Sequence, residues 1–313
     1  NGIALAVIEL KRASVSVVKG ICQNIANQEE QFIKPFFTTM QLVCAGNSSE
    51  GLRYGTIKTP AKYYLEWRHD GFTQHQEERD SNDVMLEQGA EQFAEKLDGQ
   101  VYEMFDKRRF LDIIRNFIIF DKGQKKLCRY SQYYGVKRML ARTAQKKGGI
   151  IWHSQGSGKS IEMVLGAKHL LERDPDGRIL IVTDREELDE QIEKLFKGVD
   201  EAIVRTKSGK DLVEKLNDTA GGRIICSLVH KFGHHGKNED EADEKAMEKY
   251  IADIKASLPS DFKVKGNFIV FVDECHRTHS GKLHEAMKAI MPDAILVGFT
   301  GTPLLKKDKK TSL

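Results

Sequence analysis

Residues 153–160 read His-Ser-Gln-Gly-Ser-Gly-Lys-Ser, directly behind the apolar run Gly149-Ile-Ile-Trp152. A short buried strand that empties into two spaced glycines, a lysine and a serine constrains this chain more than any other feature. The glycines let successive backbone N–H groups converge on one point, and the helix that follows adds its positive N-terminal end. In this reading the backbone of Gln155, Gly156, Ser157 and Gly158 wraps a chain of phosphates. Lys159 reaches the outer phosphates, and Ser160 holds Mg²⁺. The loop therefore predicts binding, and hydrolysis, of a nucleoside triphosphate such as ATP. One position departs from the usual pattern: His153 stands where such loops begin with glycine.

The chain around the loop supplies the matching fold. Apolar runs at Arg178–Thr183, Ala202–Arg205, Arg223–Ser227, Phe268–Val272 and Ala294–Phe299 read as strands. Helical stretches at 131–145, after the loop, at 186–196, 209–217, 239–257 and 281–290 separate them. Strands alternating with helices predict a parallel sheet with helices on both faces. In such a sheet the carboxyl ends of the strands line the ligand crevice. Phe268–Val272 runs straight into Asp273 and Glu274, which places Asp273 to hold the Mg²⁺ shell and Glu274 to activate the attacking water. Cys275, His276 and His279 lack a second ligand pair nearby, so no zinc site is expected. His276 and Arg277 are expected near the outermost phosphate instead. Gly298-Phe-Thr-Gly-Thr-Pro303 closes the last strand, with Thr300 and Thr302 placed to hydrogen-bond the acidic pair or a nucleic-acid backbone.

Composition narrows the setting. The 313 residues favour two domains. Five cysteines, an odd number with no Cys-x-x-Cys pair, argue against a disulfide scaffold and for a reducing, cytoplasmic compartment. No apolar run reaches the roughly 18 residues that a membrane span needs, so no membrane partner is expected. The net charge of +3 is mild, but basic residues cluster at Lys107-Arg108-Arg109, at Lys122, Lys125, Lys126 and Arg129, at Lys146-Lys147 and at Lys306–Lys310. Such clusters neutralise phosphates or merely solvate helix ends and loops.

Together, Gln-Gly-Ser-Gly-Lys-Ser, Asp-Glu-Cys-His and Thr-Gly-Thr-Pro, in that order, resemble the first motor domain of superfamily 2 helicases and translocases. The wording of Ile151–Ser160, of Val182-Thr-Asp-Arg185 with Leu188 and Gln191, and of Asp273–Arg277 is similar to the restriction (motor and nuclease) subunit of type I restriction–modification enzymes. In that group a histidine at the position of His153 is expected. The resemblance implies that Gln132, in Arg129-Tyr-Ser-Gln132, reads adenine. It implies that Ser227–Phe232 contacts DNA, with His230 where glutamine is frequent. It further implies double-stranded DNA as substrate, and methyltransferase (modification) and specificity subunits as partners.

The N-terminal region fits the same group. Ile3–Ile8 reads as a strand, and Glu9 and Lys11 lie two apart, so both side chains face one side. A carboxylate and an ammonium so placed can hold a metal and stabilise charge on a scissile phosphate. Alone, the pair is equally compatible with an ordinary edge strand. Beside this motor domain it resembles the Glu-x-Lys half of a PD-(D/E)XK nuclease site, with Glu9 the metal ligand. That family's metal-binding Asp lies upstream. Its following Gln matches Gln23, while Asn27 takes the place of the Tyr that usually comes four residues later.

The expected architecture is thus α/β: a partial nuclease-like domain and helical tail over 1–120, a linker and adenine-contacting helix over 121–145, and a RecA-like P-loop domain over 146–313. The remaining local expectations are a helix over 15–33, strands at Met40–Ala45 and Leu52–Ile57, and helices over 86–97 and 108–119, with 121–129 as linker. Both ends read as cut from a longer chain, beginning at Asn1 without a Met and stopping just past a strand. A second motor domain would supply the arginines that complete the site, so residues 1–313 alone are expected to bind ATP with little turnover. The competing expectations are a stand-alone superfamily 2 helicase or remodelling ATPase without nuclease activity, and a nucleotide-binding module that does not turn over.

Overall fold

The structure is a computed structural model. It describes residues 2–69, 78–121, 123–183, 186–197, 202–218, 222–228, 248–249, 251–260, 262–275, 280–301, 305–306 and 309–310. The chain divides into two compact units, residues 1–137 and 138–313.

The first unit is built on a four-stranded sheet of β1 (Ala6–Leu10), β2 (Leu42–Asn47), β3 (Gly51–Gly55) and β4 (Leu65–Glu66), in that spatial order. β1 runs parallel to β2, and the other pairs are antiparallel. Helix α1 (Val17–Ala26) makes the crossover between β1 and β2. Ser16 caps it by accepting from the Val18 N–H, and Val17 and Ile21 bury against Ala45. The helix expected over 15–33 stops at Ala26, because Asn27 to Gln31 carries no apolar residue to bury. A 3-10 helix with Pro35 in its first turn follows at Lys34–Thr39. The helix expected at 86–97 is two helices, α2 (Ser81–Ala90) and α3 (Lys96–Met104), because Asp80 caps an earlier start. Helix α4 (Lys107–Asn116) is capped by Asp106, which accepts from the Arg108 and Arg109 N–H groups.

Two further expectations fail in this unit. The basic stretch 121–129 is no linker: β5 (Ile118–Asp121) and β6 (Gln124–Leu127) form a hairpin. Gly123 sits at its turn with φ +75°, a conformation that glycine adopts at no steric cost. Arg109, grouped above with surface cations, is 1% exposed. Its guanidinium donates to Glu103 and Asp83, both at 2.9 Å, and lies 5.4 to 5.8 Å from the rings of Trp67, Tyr133 and Tyr134. Trp67 Nε1 also donates to Glu103, at 3.1 Å. Two carboxylates, one cation and three aromatic rings therefore form the polar core of the unit. Helix α5 (Tyr130–Ala144) contributes two of those rings.

The second unit has a six-stranded sheet, ordered β7 (Gly149–Trp152), β12 (Ile295–Thr300), β11 (Asn267–Asp273), β8 (Gly177–Thr183), β10 (Ile224–Leu228) and β9 (Ile203–Arg205). All of its pairs are parallel. The intervening helices are α6 (Lys159–Arg173), α7 (Glu186–Lys197), α8 (Gly209–Asn217), α9 (251–256) and α10 (Ser280–Ile290). Alternate strand residues serve opposite faces. Leu180, Val182, Ile225, Val270, Val272 and Leu296 pack with residues of α8, α9 and α10 in one core cluster. Helices α6 and α7 lie against β8, and the intervening residues Ile179, Ile181, Phe271 and Phe299 are equally buried. Full burial of one such side chain contributes about 1.5–3 kcal/mol. The expected parallel sheet with helices on both faces is what forms. The 239–257 helix is seen only in its last part, since residues 229–247 lie outside the described residues.

Candidate active site

Because every strand of this six-stranded sheet points the same way, Trp152, Thr183, Leu228, Asp273 and Thr300 all end at one edge of the sheet. β12 lies between β7 and β11, so its end separates the loop from Asp273. Trp152 is in register with Thr300, and Phe299 with Asp273.

The loop leaves β7 with the His153 N–H donating to the Thr300 carbonyl at 3.1 Å. Gly156 has φ +76° and Gly158 φ +90°, both in the left-handed region that excludes most side chains. Gly158 is the N-cap of α6 and has no side chain of its own to cap that helix end. A helix start preceded by left-handed glycines suits an anion. Lys159 donates through Nζ to the His153 carbonyl at 3.4 Å, a long and weak contact. Ser157 and Ser160 are buried, and Gln155 is exposed. Gly301 closes the far side: a Cβ there would stand 3.5 Å from both the Gln155 nitrogen and Lys159 Nζ. The Gly301 carbonyl also accepts from Trp152 Nε1 at 3.2 Å.

Asp273 ends β11 and is 9% exposed. Glu274 follows with φ +47°. A left-handed conformation costs a non-glycine residue on the order of 1 kcal/mol, and such strain gathers at functional sites. The turn is held by the Cys275 N–H, which donates to the Phe299 carbonyl at 3.2 Å. The Cys275 thiol is pushed up to about 12, chiefly by burial and then by the charges of Asp273 and Glu274. Asp184, Arg185, Val229–Phe232, His276, Arg277, His279, Thr302 and Pro303 lie outside the described residues. Thr300 is fully buried at the end of β12.

One residue escaped the sequence reading. Glu162, in the first turn of α6, is 0% exposed and bonds His153 Nδ1 at 2.8 Å. Burial holds its carboxyl above the usual range, opposed by the hydrogen bond from His153. The available signal was a lone carboxylate inside the apolar run Ile161 to Leu165.

The donor set fits the group that the sequence implies. Glycine-lined N–H groups, one lysine and a helix N-terminus suit a triphosphate, and the oxygens of Ser160 and Asp273 suit a hard divalent cation.

In the first unit, β1 and α1 bring three residues together. Lys11 Nζ donates to Glu9 Oε1 at 2.8 Å and to Gln23 Oε1 at 2.5 Å. Gly20 permits the approach: a Cβ there would lie 3.1 Å from Ala45 Cβ, 3.4 Å from Lys11 Cγ and 3.5 Å from Glu9 Cγ. Asn27 is the C-cap of α1. Gln132 sits in the first turn of α5, is 2% exposed and accepts from the Arg129 N–H at 2.8 Å.

Residues 131–313 match the family model of the SWI2/SNF2 ATPase, and residues 1–62 match that of the type I restriction enzyme R protein N terminus. The chain is 28% identical to a Methanocaldococcus jannaschii protein described as the MjaIXP endonuclease subunit of a type I restriction enzyme, over 100% of this chain and 29% of that protein. It is 27% identical to the type I restriction enzyme HindI endonuclease subunit of Haemophilus influenzae, over 99% of this chain and 30% of that one. The chain thus spans under a third of the length of these relatives. The Sulfolobus solfataricus SWI2/SNF2 ATPase core in complex with dsDNA overlaps 57% of this chain and 33% of its own, at 12% identity and a TM-score of 0.38.

Proposed function

The chain belongs to the SWI2/SNF2 ATPase family, and from that premise we propose that it is the nuclease and first-motor portion of the restriction subunit of a type I restriction–modification enzyme. Such a subunit translocates double-stranded DNA at the expense of ATP and cleaves it when unmodified. The observation that carries the reading is the shared sheet edge. A phosphate loop, an acidic pair whose Glu274 is left-handed, and the buried Thr300 between them stand at the ends of three adjacent parallel strands.

Each residue then has a role. The N–H groups of Gln155, Gly156, Ser157 and Gly158 bind phosphate oxygens, and Lys159 neutralises charge that builds on the transferred phosphoryl group. Ser160 and Asp273 would hold Mg²⁺, which when bound offsets charge on the bridging oxygens. Glu274 orients a water and accepts its proton. Gln132 reads adenine. Glu9, Lys11 and Gln23 form part of the nuclease site, where Glu9 would hold a divalent cation and Lys11 would stabilise the scissile phosphate. The partners of the intact protein are methyltransferase and specificity subunits, in the cytoplasm. Among the described residues no helix is long and apolar enough to cross a membrane.

The reading requires coupling between DNA and turnover. The full-length protein, assembled with its partner subunits, is expected to hydrolyse ATP at least tenfold faster (about 1.4 kcal/mol of barrier) with long unmodified duplex DNA than without. A rate that DNA does not change would favour a nucleotide-binding module of another kind.

A further inference from the structure

The residue in place of the loop's first glycine ties three elements together. Its N–H donates to Thr300 at the end of β12, its carbonyl receives Lys159, and its ring reaches Glu162 one turn into α6. Glu162 is fully buried, and among the described residues its Oε1 has no hydrogen-bond partner. Burying a carboxylate is costly unless it is paired. The hydrogen bond from His153 Nδ1, at 2.8 Å, the nearby charge of Lys159 and the positive end of α6 offset that cost. A loop containing two left-handed glycines has little stiffness of its own.

We propose that His153 and Glu162 are a positioning pair: their hydrogen bond spans the loop from its first residue to the first turn of α6 and holds it in its phosphate-accepting shape before nucleotide arrives. The same bond fixes the His153 carbonyl on which Lys159 rests. Neither side chain needs to touch the nucleotide. A loop that is already shaped pays no ordering cost on binding, and a collapsed population lowers apparent affinity by its share. This inference rests on the loop being the nucleotide site.

The test is the dissociation constant of the full-length protein for the fluorescent nucleotide mant-ADP with Mg²⁺, measured beside thermal unfolding. His153→Ala and Glu162→Ala are each expected to weaken binding about tenfold, as loss of one charge-assisted hydrogen bond does. The double variant should be no weaker than either single one, because the two side chains act as a unit. Glu162→Gln should restore affinity to within about twofold, since its amide oxygen still accepts from Nδ1. A purely structural role would lower the unfolding temperature without this pattern in affinity. If Glu162→Ala does not fold, His153→Ala against Glu162→Gln carries the same comparison, since the His153 side chain is only partly buried. Wild-type affinity in His153→Ala, multiplied losses in the double variant, or equal losses in Glu162→Gln and Glu162→Ala would overturn the pair. A wild-type protein that fails to bind mant-ADP would instead overturn the nucleotide-site reading itself.

Discussion

Replacing Lys159 with alanine is expected to lower ATP turnover of the full-length protein by about a thousandfold while leaving its unfolding temperature nearly unchanged. The two halves of that expectation have separate causes. Among the described residues the ammonium donates one long hydrogen bond, 3.4 Å to the His153 carbonyl, which contributes little to folding. The buried Glu162 loses the field of this charge but keeps its hydrogen bond with His153. In the proposed reaction, however, this cation would face the phosphoryl group as charge develops on it, in a loop where Gly301 leaves room beside Lys159 Nζ. A preorganised donor in such a place is worth roughly 3–4 kcal/mol of barrier. A steady-state assay at saturating ATP and DNA measures the first half, and a thermal melt the second. Turnover within tenfold of wild type would remove Lys159 from the proposed chemistry.

The largest expected effect on stability lies in the other unit. Arg109→Ala should cost about 3–5 kcal/mol, because it removes the one guanidinium that both buried carboxylates share. The Asp83 and Glu103 side chains are 4% and 2% exposed, so water does not readily take the place of the guanidinium. Burial already holds the Asp83 carboxyl above its ordinary range despite Arg109 beside it. The three aromatic rings around the guanidinium lose that contact as well, and Tyr133 alone of the three keeps a described cation, Lys137. Arg109→Lys should recover only part of the loss, since a single ammonium does not reproduce two directed bonds to separate carboxylates. Urea unfolding monitored by tryptophan fluorescence reads this directly, because Trp67 is part of the cluster. A loss below about 1 kcal/mol would mean that the cluster is not the anchor described here.

What could be read from the sequence, and what could not, follows from the range of the interactions. The loop and its strand–helix frame were legible because their signals are local. Gly149–Trp152, the two glycines, Lys159 and Ser160 are contiguous, and the strands after them alternate with helices at the ordinary spacing. The order of the six strands is not local, yet the parallel pattern limits it, and the acidic pair falls at the expected edge. The 118–127 hairpin was hidden by its composition. Lysines at 125 and 126 suggest a solvated linker, and only Gly123 marks the turn. Arg109 was misread for a longer-range reason. Its partners stand at 67, 83, 103, 133 and 134, and no window around 109 contains them. Glu162 shows the opposite failure. The residue was in view beside the loop, but an acidic side chain in a first helical turn is ordinary, and its burial is a property of packing.

In the proposed enzyme, nucleotide chemistry at Lys159 would drive cleavage at Glu9. The most direct measurement is ATP-dependent linearisation of unmethylated plasmid by the full-length protein with its partner subunits, comparing wild type with Glu9→Ala and recording hydrolysis in the same reaction. The expected result is cleavage lowered at least a hundredfold with hydrolysis within about twofold of wild type, because Glu9 would hold the nuclease cation and has no part in the nucleotide loop. Undiminished cleavage by Glu9→Ala would contradict the account and leave a stand-alone translocase as the better description.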